Sequence, residues 1–274
     1  MGVWPFMFWR FGIAAALMCL AFPKNLINSK KTTIIRGLIL GGILFTALIT
    51  QTIGLTYTTA GKAGFLTALY VPFIPITAWL FFRQHPSWRQ FLVAFIAVFG
   101  LYILTDNSSG STSINEWWRT TNLGDILTAL TAVVSAVHIL TTEKFTRLEP
   151  DSLALGLWQF IGCFICATLG TLFQFNNTGS VEHLNWNVLS WPSFAISSAI
   201  FNAIFTTCFG FTMQIICQKS LGALKSALIF ALEAPFALMF SFLFMGEILT
   251  LKEFVGAVIV FLVSIVPDNW LRGK

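Results

Sequence analysis

Charged residues are scarce in this sequence. Only 10% of the 274 residues are Asp, Glu, Lys or Arg, whereas soluble domains carry about a quarter. Hydrophobic residues make up 56%, with 29 Phe and 10 Trp. The core of one domain cannot bury that much apolar surface. The composition excludes a water-soluble globule and indicates a protein that is solvated by a lipid bilayer.

The strict alternation of polar and apolar residues that a membrane β-barrel requires is also missing. Runs such as Gly37 to Leu55 and Ala227 to Met245 are long and do not alternate polar and apolar residues. Helices of about 20 apolar residues satisfy their own backbone in a bilayer. The sequence therefore predicts an all-α polytopic membrane protein. Nine transmembrane helices are expected, near residues 4–22, 35–57, 62–82, 90–106, 123–142, 152–173, 191–216, 222–245 and 251–268.

Motifs for catalysis or cofactor binding are few. All five cysteines lie inside apolar runs, and Cys163-x-x-Cys166 has neither a second pair nor a nearby histidine to complete a metal site. The sequence lacks a Gly-x-x-x-x-Gly-Lys-Ser/Thr loop, which excludes a built-in ATPase. Gly124-Asp125 matches part of an aspartyl protease motif, but no second motif supplies the other carboxylate of the dyad. We expect no enzymatic activity, no metal and no cofactor.

Basic residues are distributed unevenly between the predicted spans. The chain has 16 Lys and Arg against 11 Asp and Glu, a net charge of +5. Loops on the cytoplasmic side of membrane proteins are enriched in Lys and Arg. With the loop after the first span inside, twelve basic residues are cytoplasmic and four are not: Arg10, Lys62, Arg119 and Lys252. This predicts an outer N-terminus, a cytoplasmic C-terminus and no nucleic-acid partner.

The sequence contains an internal repeat at a constant offset of 163 residues. Thirteen identities fall between Gln51 and Leu104, and the matches of Gln51 with Gln214, Lys62 with Lys225 and Pro72 with Pro235 are the least expected by chance. The offset maps the second, third and fourth spans onto the seventh, eighth and ninth. Equivalent spans are therefore five apart in the chain. Because five is an odd number, equivalent helices cross the membrane in opposite directions. Such inverted repeats are typical of secondary transporters with a midplane site.

The repeat divides the chain into two parts. We expect an N-terminal repeat of four helices over residues 1–106, an external linker over 107–122, a C-terminal repeat of five helices over 123–268, and a cytoplasmic tail over 269–274. The first span aligns with the sixth through Trp9-Arg10-Phe11 and Trp158-Gln159-Phe160. The fifth span then has no partner in the first half.

Several segments together resemble EamA-type members of the drug/metabolite transporter superfamily. They are Phe8 to Ala15, Gln51 to Leu66, Leu228 to Pro235 and Gly246 to Thr250, and the resemblance covers nearly the whole chain. It implies a bacterial inner-membrane carrier with two five-helix repeats that moves small metabolites, often amino acids or related compounds, usually outward. The Leu-Glu-Pro of the family is altered here, because Ala234 separates Glu233 from Pro235.

A second departure from the family is the helix count. Family members carry ten helices, and the helix expected before Trp4 is missing from the sequence, which explains why the fifth span lacks a partner. Two interpretations remain: a start codon set too far downstream, which the internal symmetry favours, or a true nine-helix variant with its N-terminus outside.

Glu233 and Arg10 are the ionisable residues placed deepest in predicted spans, where charge is costly unless it meets water or a partner. Glu233 is interpreted either as a group that binds a substrate ammonium or carries a proton, or as a hydrogen-bonding residue between helices. Arg10 is interpreted either as a planar guanidinium that binds a substrate carboxylate or as an arginine that snorkels to the outer interface. The sequence slightly favours snorkelling.

Other polar side chains complete a candidate substrate path. Lys62 and Lys225 open equivalent helices at opposite faces, where they would snorkel or form salt bridges at a gate. Gln51 and Gln214 would bind substrate or neighbouring backbone, and His138 would either titrate or hold structure through a hydrogen bond. The remaining candidates are Tyr70, Trp158, Gln159 and Asn202.

The predicted function is a secondary transporter that moves a small metabolite, an amino acid or related compound, by alternating access, with export as the direction. Its expected partners are the small-molecule substrate and the lipid bilayer, and the oligomeric state is not predicted. The alternatives are an intramembrane enzyme and a channel or scaffold in which the repeat records only a gene duplication.

Overall fold

The computed structural model describes residues 2–105, 122–178, 191–245 and 250–271, and they contain helices but no β-strand. The predicted linker over 107–122 and the tail over 269–274 lie mostly outside the described residues, as do residues 246–249 of the family-like segment. In the first half, the helices are α1 (Val3–Ala21), α2 (Pro23–Ile27), α3 (Lys31–Gly54), α4 (Ala60–Ala68), α5 (Tyr70–Phe82) and α6 (Trp88–Thr105).

The second half of the chain is also helical. It forms α7 (Leu123–Leu148), α8 (Ser152–Thr178), α9 (Ser193–Phe201), α10 (Thr212–Leu221), α11 (Ala223–Phe230), α12 (Glu233–Phe240), α13 (Leu251–Ile265) and α14 (Asp268–Leu271). Two π-helical segments, Asn202–Phe211 and Ser241–Met245, follow α9 and α12. The all-α prediction is confirmed.

Seven helical stretches within the described residues are long and apolar enough to cross a bilayer. They are Val3–Ala21, Lys31–Gly54, Lys62–Phe82, Leu123–Leu148, Ser152–Asn176, Ser193–Leu221 and Ala223–Phe244. The fourth and ninth predicted spans correspond to the shorter apolar helix Trp88–Leu104 and to α13, which has 15 residues. Every predicted span is helical, and the count of nine crossings stays a prediction.

Large apolar side chains remain exposed along these helices. Phe194 is 81% exposed, Phe95 64% and Leu262 60%. A soluble protein rarely exposes apolar surface on this scale, because contact of that surface with water is unfavourable. In a bilayer the same side chains contact acyl chains instead of water. This pattern is what the membrane interpretation requires.

Helix boundaries follow local capping chemistry. The Thr59 side chain accepts a hydrogen bond from the Lys62 backbone at the start of α4. Thr250 and Glu253 form a capping box at the start of α13, which satisfies backbone donors at the helix N-terminus. The helix α5 ends at Arg83, whose left-handed conformation (φ 51°) stops the helix.

Two compact units are formed, and each combines segments from both halves of the sequence. Unit 1 comprises Met1–Ile49 and Thr141–Ser220, and unit 2 comprises Thr50–Leu140 and Leu221–Lys274. The helices α3 and α7 contribute residues to both units. In unit 1, Phe160 packs with Met18 and Leu157. In unit 2, the core includes Val71, Leu101 and Leu228.

Close helix contact in unit 1 depends on two glycines. A Cβ atom at Gly41 of α3 would lie 2.4 Å from the Gln159 carbonyl oxygen and 2.8 Å from the Gly162 Cα of α8. By contrast, a Cβ at the neighbouring Gly42 would meet nothing within 4 Å. Gly41 and Gly162 therefore form the α3–α8 contact, and Gly42 does not take part in it.

The 163-residue repeat is visible in the helices of unit 2. The first residues of α4, α5 and α6 (Ala60, Tyr70 and Trp88) map onto the first residues of α11, α12 and α13 (Ala223, Glu233 and Leu251). Three consecutive helix starts therefore keep the same offset.

The equivalent helices α6 and α13 pack against each other in opposite directions. A Cβ at Gly100 would meet Ile259 and Val260, whereas a Cβ at Gly256 would meet Leu104 and the Gly100 carbonyl. The residue numbers of the contacting positions therefore increase along α6 while they decrease along α13. Antiparallel packing of repeat-equivalent helices is what an inverted repeat requires.

Candidate functional site

Two spans in unit 2 are interrupted at equivalent positions. The first is broken between α4 and α5 at Leu69, and the second between α11 and α12 at Ala231 and Leu232. In both, the interrupting residue bonds to a carbonyl three residues back: Leu69 to Leu66 at 3.3 Å and Leu232 to Ile229 at 3.1 Å. Such i to i−3 bonds tighten the helix locally.

A proline follows each interruption. Pro72 and Pro235 have no N–H to donate to the carbonyl four residues earlier, which would be that of Ala68 or Ala231. The helix resumes by an equivalent bond in each case, from Phe73 to Leu69 at 3.2 Å and from Phe236 to Leu232 at 3.0 Å. Interrupted helices in corresponding positions of two repeats are the best structural indication of a transporter binding site.

Tyr70 and Glu233, which are equivalent under the repeat, mark the two interruptions. Each is the first residue of the helix that resumes, α5 or α12. The Tyr70 hydroxyl donates to the Ala227 carbonyl of α11 at 3.4 Å, so the helix that resumes in the first repeat contacts the interrupted span of the second. We call Tyr70 and Glu233 the junction site.

The Glu233 side chain is exposed and makes no hydrogen bond or ion pair to the residues that the structure describes. A carboxylate inside an apolar span does not face acyl chains without a large cost, so the exposed side chain indicates a water-filled space. The interpretation as an interhelical hydrogen-bonding residue has no support in these contacts. An alternative structural role is that a negative charge at the N-terminus of α12 stabilises that helix.

A buried ion pair connects α4 to the start of α7 in unit 2. The Lys62 Nζ donates to the Asp125 Oδ2 at 2.5 Å, and Asp125 is 4% exposed. The Thr58 hydroxyl donates to the other carboxylate oxygen, Oδ1, at 2.7 Å, and the Asn122 backbone N–H donates to Oδ2 at 3.0 Å. Lys62 therefore does not snorkel, since its charge is neutralised inside the protein.

Substituting Asp125 by Asn should destabilise the protein by about 3 kcal/mol, because the change leaves the Lys62 ammonium buried without its counter-charge. Thermal unfolding of the purified protein in detergent measures this. The matched control is Glu143→Gln in the Arg147–Glu143 pair of α7, in which the arginine is 54% exposed. That change should cost less than about 1 kcal/mol of stability. Equal losses of stability in the two variants would show that the buried pair stabilises the protein no more than the exposed pair does.

Lys225, the repeat equivalent of Lys62, binds a different kind of group. Its ammonium donates to the carbonyl of Ser264 and, at 2.7 Å, to that of Val266. These carbonyls belong to the C-terminal end of α13, where a helix has unsatisfied acceptors and attracts a cation. In both repeats the lysine therefore connects its own helix to the end of another one.

Arg10 is the most deeply buried cation in unit 1. It is 6% exposed, and its Nε donates to the Thr207 hydroxyl of the π-helical segment at 2.7 Å. The guanidinium carbon lies 6.0 Å from the Phe6 ring centre and 5.7 Å from that of Phe11. The interpretation of Arg10 as a snorkelling residue is wrong, because its side chain turns into the protein and finds Thr207 there.

A second polar network in unit 1 surrounds Glu149, which directly follows α7. Glu149 is 4% exposed and accepts from Arg36 at 2.5 Å and from Thr33 at 2.8 Å. Lys219 donates to the neighbouring Pro150 carbonyl at 3.1 Å. Glu149, Asp125 and Thr207 were not among the candidate residues predicted from the sequence. Their partners lie 63 to 197 residues away, and only the repeated lysine was a signal for any of them.

The other candidates are not gathered at the junction site. In unit 1, the Trp158 indole donates to Ser29 at 2.8 Å, Gln214 donates to Gln218 at 3.4 Å, and Asn202 donates to its own helix at Ser198. In unit 2, Gln51 makes a long contact of 3.5 Å with Thr67. Gln159 in unit 1 and His138 in unit 2 are buried, and both have interaction partners.

A protein-family model described as the EamA-like transporter family matches residues 1–106 and 122–266. The chain belongs to the EamA-like transporter family. The two matched segments together cover most of the sequence, and the resemblance noted from the motifs is confirmed. No group of three or more metal-ligating side chains occurs within the described residues of this family member.

Two relatives of this EamA-like chain were found by comparison. An uncharacterized transporter from Archaeoglobus fulgidus is 30% identical over 216 residues, which are 79% of this chain and 63% of that protein. This chain thus spans less than two thirds of the relative's length. A solved crystal structure of a protein superposes with a TM-score of 0.75 at 14% identity, covering 100% of this chain and 89% of the other, and shows the fold alone.

These findings identify a multi-pass membrane protein of the EamA-like transporter family. The family and the Archaeoglobus fulgidus relative are both named as transporters.

Proposed function

We propose that this protein is a secondary transporter that moves a small metabolite, an amino acid or a related compound, by alternating access. The observation that carries the proposal is the junction site: two repeat-equivalent spans are interrupted at the same position, and an exposed carboxylate stands at one interruption. A scaffold has no need of a charge inside an apolar span. Membership of the EamA-like family supports the same conclusion.

The mechanism follows from the symmetry of the repeats. Two repeats of opposite orientation, over residues 1–106 and 123–268, exchange conformations and expose the junction site first to one side and then to the other. The prolines at the interruptions reduce the number of helical hydrogen bonds that resist bending there. Glu233 binds a substrate ammonium or carries the coupling proton.

We further propose that the protein resides in a bacterial inner membrane, exports its substrate, and has its C-terminus in the cytoplasm. The support for this orientation is the asymmetry of twelve basic residues against four.

Reconstitution into proteoliposomes tests the proposal. Labelled amino acids and related metabolites are offered one at a time, and initial flux is measured against concentration. A secondary transporter gives saturable flux for at least one compound without ATP. Flux that rises linearly with concentration, accompanied by ionic conductance, would identify a channel and contradict the proposal.

A further inference from the structure

Arg10 is a buried cation whose charge no acidic side chain neutralises in the described part of unit 1. The three acidic residues described in this unit are engaged elsewhere: Glu143 with Arg147, Glu149 with Arg36, and Asp151 with Asn25. Unit 1 therefore contains a buried positive charge without a carboxylate partner among those residues.

Some N–H donors of the Arg10 guanidinium have no acceptor among the described residues. Its Nε is used by Thr207, whereas the two terminal nitrogens make no hydrogen bond to the described residues. Together these two nitrogens carry four N–H groups in one plane. The aromatic rings of Phe6 and Phe11 lie near the guanidinium carbon and supply only weak stabilisation of its charge.

Thr207 fixes the orientation of this group. It is fully buried within the π-helical segment Asn202–Phe211. Segments of π-helix are rare and occur frequently at functional sites. Because Thr207 holds the Nε edge, the terminal edge of the guanidinium is pre-oriented, which is the edge that binds a carboxylate through two parallel hydrogen bonds.

Burying a cation without a counter-charge is costly, and a protein that keeps such a group gains from a ligand that neutralises it. We propose that Arg10 is a binding site for a small carboxylate, and that in transport it holds the carboxylate of the transported molecule. The inference rests on the proposed transport function for the identity of the ligand, and on the Arg10 geometry alone for the site.

Binding of simple probes to the purified protein tests the site. The thermal midpoint is measured at constant ionic strength with acetate and benzoate, with their uncharged amides acetamide and benzamide, and with chloride. The wild type should be stabilised by at least one carboxylate and by neither amide. Equal shifts with an amide or with chloride, or no shift with either carboxylate, would overturn the proposal.

Two variants test whether the carboxylate-induced shift of the thermal midpoint depends on Arg10. Arg10→Met should abolish the carboxylate shift without lowering the ligand-free midpoint, since it removes an uncompensated charge, and a retained shift would overturn the proposal. Thr207→Val keeps the charge but frees its orientation, and it should raise the apparent Kd about tenfold, the factor that corresponds to one hydrogen bond to a charged group. If Arg10→Met does not fold, Thr207→Val decides, and an unchanged Kd there contradicts the assignment.

The matched control is Arg147→Met, which makes the same substitution at an exposed arginine of unit 1 and should leave the carboxylate shift unchanged. The outcome also separates the two proposals. Carboxylate binding without flux in proteoliposomes would refute the transport function and leave the site, whereas flux that is equal for acids and their amides would refute the site and leave the transport function.

Discussion

Glu233→Gln is expected to lower the initial rate of transport by about tenfold, because the neutral amide loses the charge that roughly doubles the strength of a hydrogen bond. Gln keeps the size and the hydrogen-bonding capacity of the side chain but cannot carry the charge or exchange a proton. If Glu233 transports a proton, the variant should also lose the pH dependence of the wild type. The measurement is substrate flux in proteoliposomes over a series of pH values.

Two controls separate transport from folding in this experiment. Glu143→Gln makes the same change in the Arg147–Glu143 pair of α7 and should leave flux unchanged. Thermal unfolding shows whether Glu233→Gln is folded, and we expect a loss below about 1 kcal/mol, the size of a charge effect at a helix N-terminus. Normal flux with normal pH dependence in Glu233→Gln would show that this carboxylate serves only the helix α12.

Gly41→Ala is expected to destabilise the protein by about 3 kcal/mol, at the upper end of the usual cost of overpacking. The added Cβ would lie 2.4 Å from the Gln159 carbonyl oxygen, and the neighbouring atoms within 3 Å belong to the backbone of α8. Backbone cannot move aside as a flexible side chain can, so α3 and α8 must separate. Thermal unfolding in detergent, together with the yield of monodisperse protein, measures the effect.

Gly42→Ala is the matched control, one residue away on the same helix. A Cβ at Gly42 meets nothing within 4 Å, and alanine favours a helix over glycine by about 1 kcal/mol. Gly42→Ala should therefore be neutral or slightly stabilising. If both variants lost stability equally, the close approach of α3 and α8 at Gly41 would be refuted.

The helical architecture could be predicted because bilayer physics leaves few choices. Long apolar runs must form helices, and the prolines Pro72 and Pro235 mark interruptions without any knowledge of packing. The offset of 163, obtained from the matches at Gln51, Lys62 and Pro72, reappears in the starts of α4, α5 and α6 relative to α11, α12 and α13. The same offset makes Tyr70 and Glu233 equivalent positions, and the structure shows each as the first residue after a helix interruption.

The partners of the charged residues could not be predicted. Arg10 and Thr207 are 197 residues apart, and nothing in a local pattern pairs them. Snorkelling was favoured for Arg10 because it lies near the start of the chain, but burial depends on which helices pack around a residue. Lys62 and Lys225 show the same limit, since equivalent positions bind a carboxylate in one case and backbone carbonyls in the other.

Accelerated counterflow tests the central claim, that the protein carries its substrate by alternating access, most directly. Proteoliposomes are loaded with a high concentration of an unlabelled substrate, and the entry of the same labelled compound is followed. Alternating access predicts a transient accumulation of label above its external concentration, which Glu233→Gln should reduce strongly. Label that only equilibrates, at a rate independent of the internal substrate, would contradict alternating access and indicate a pore.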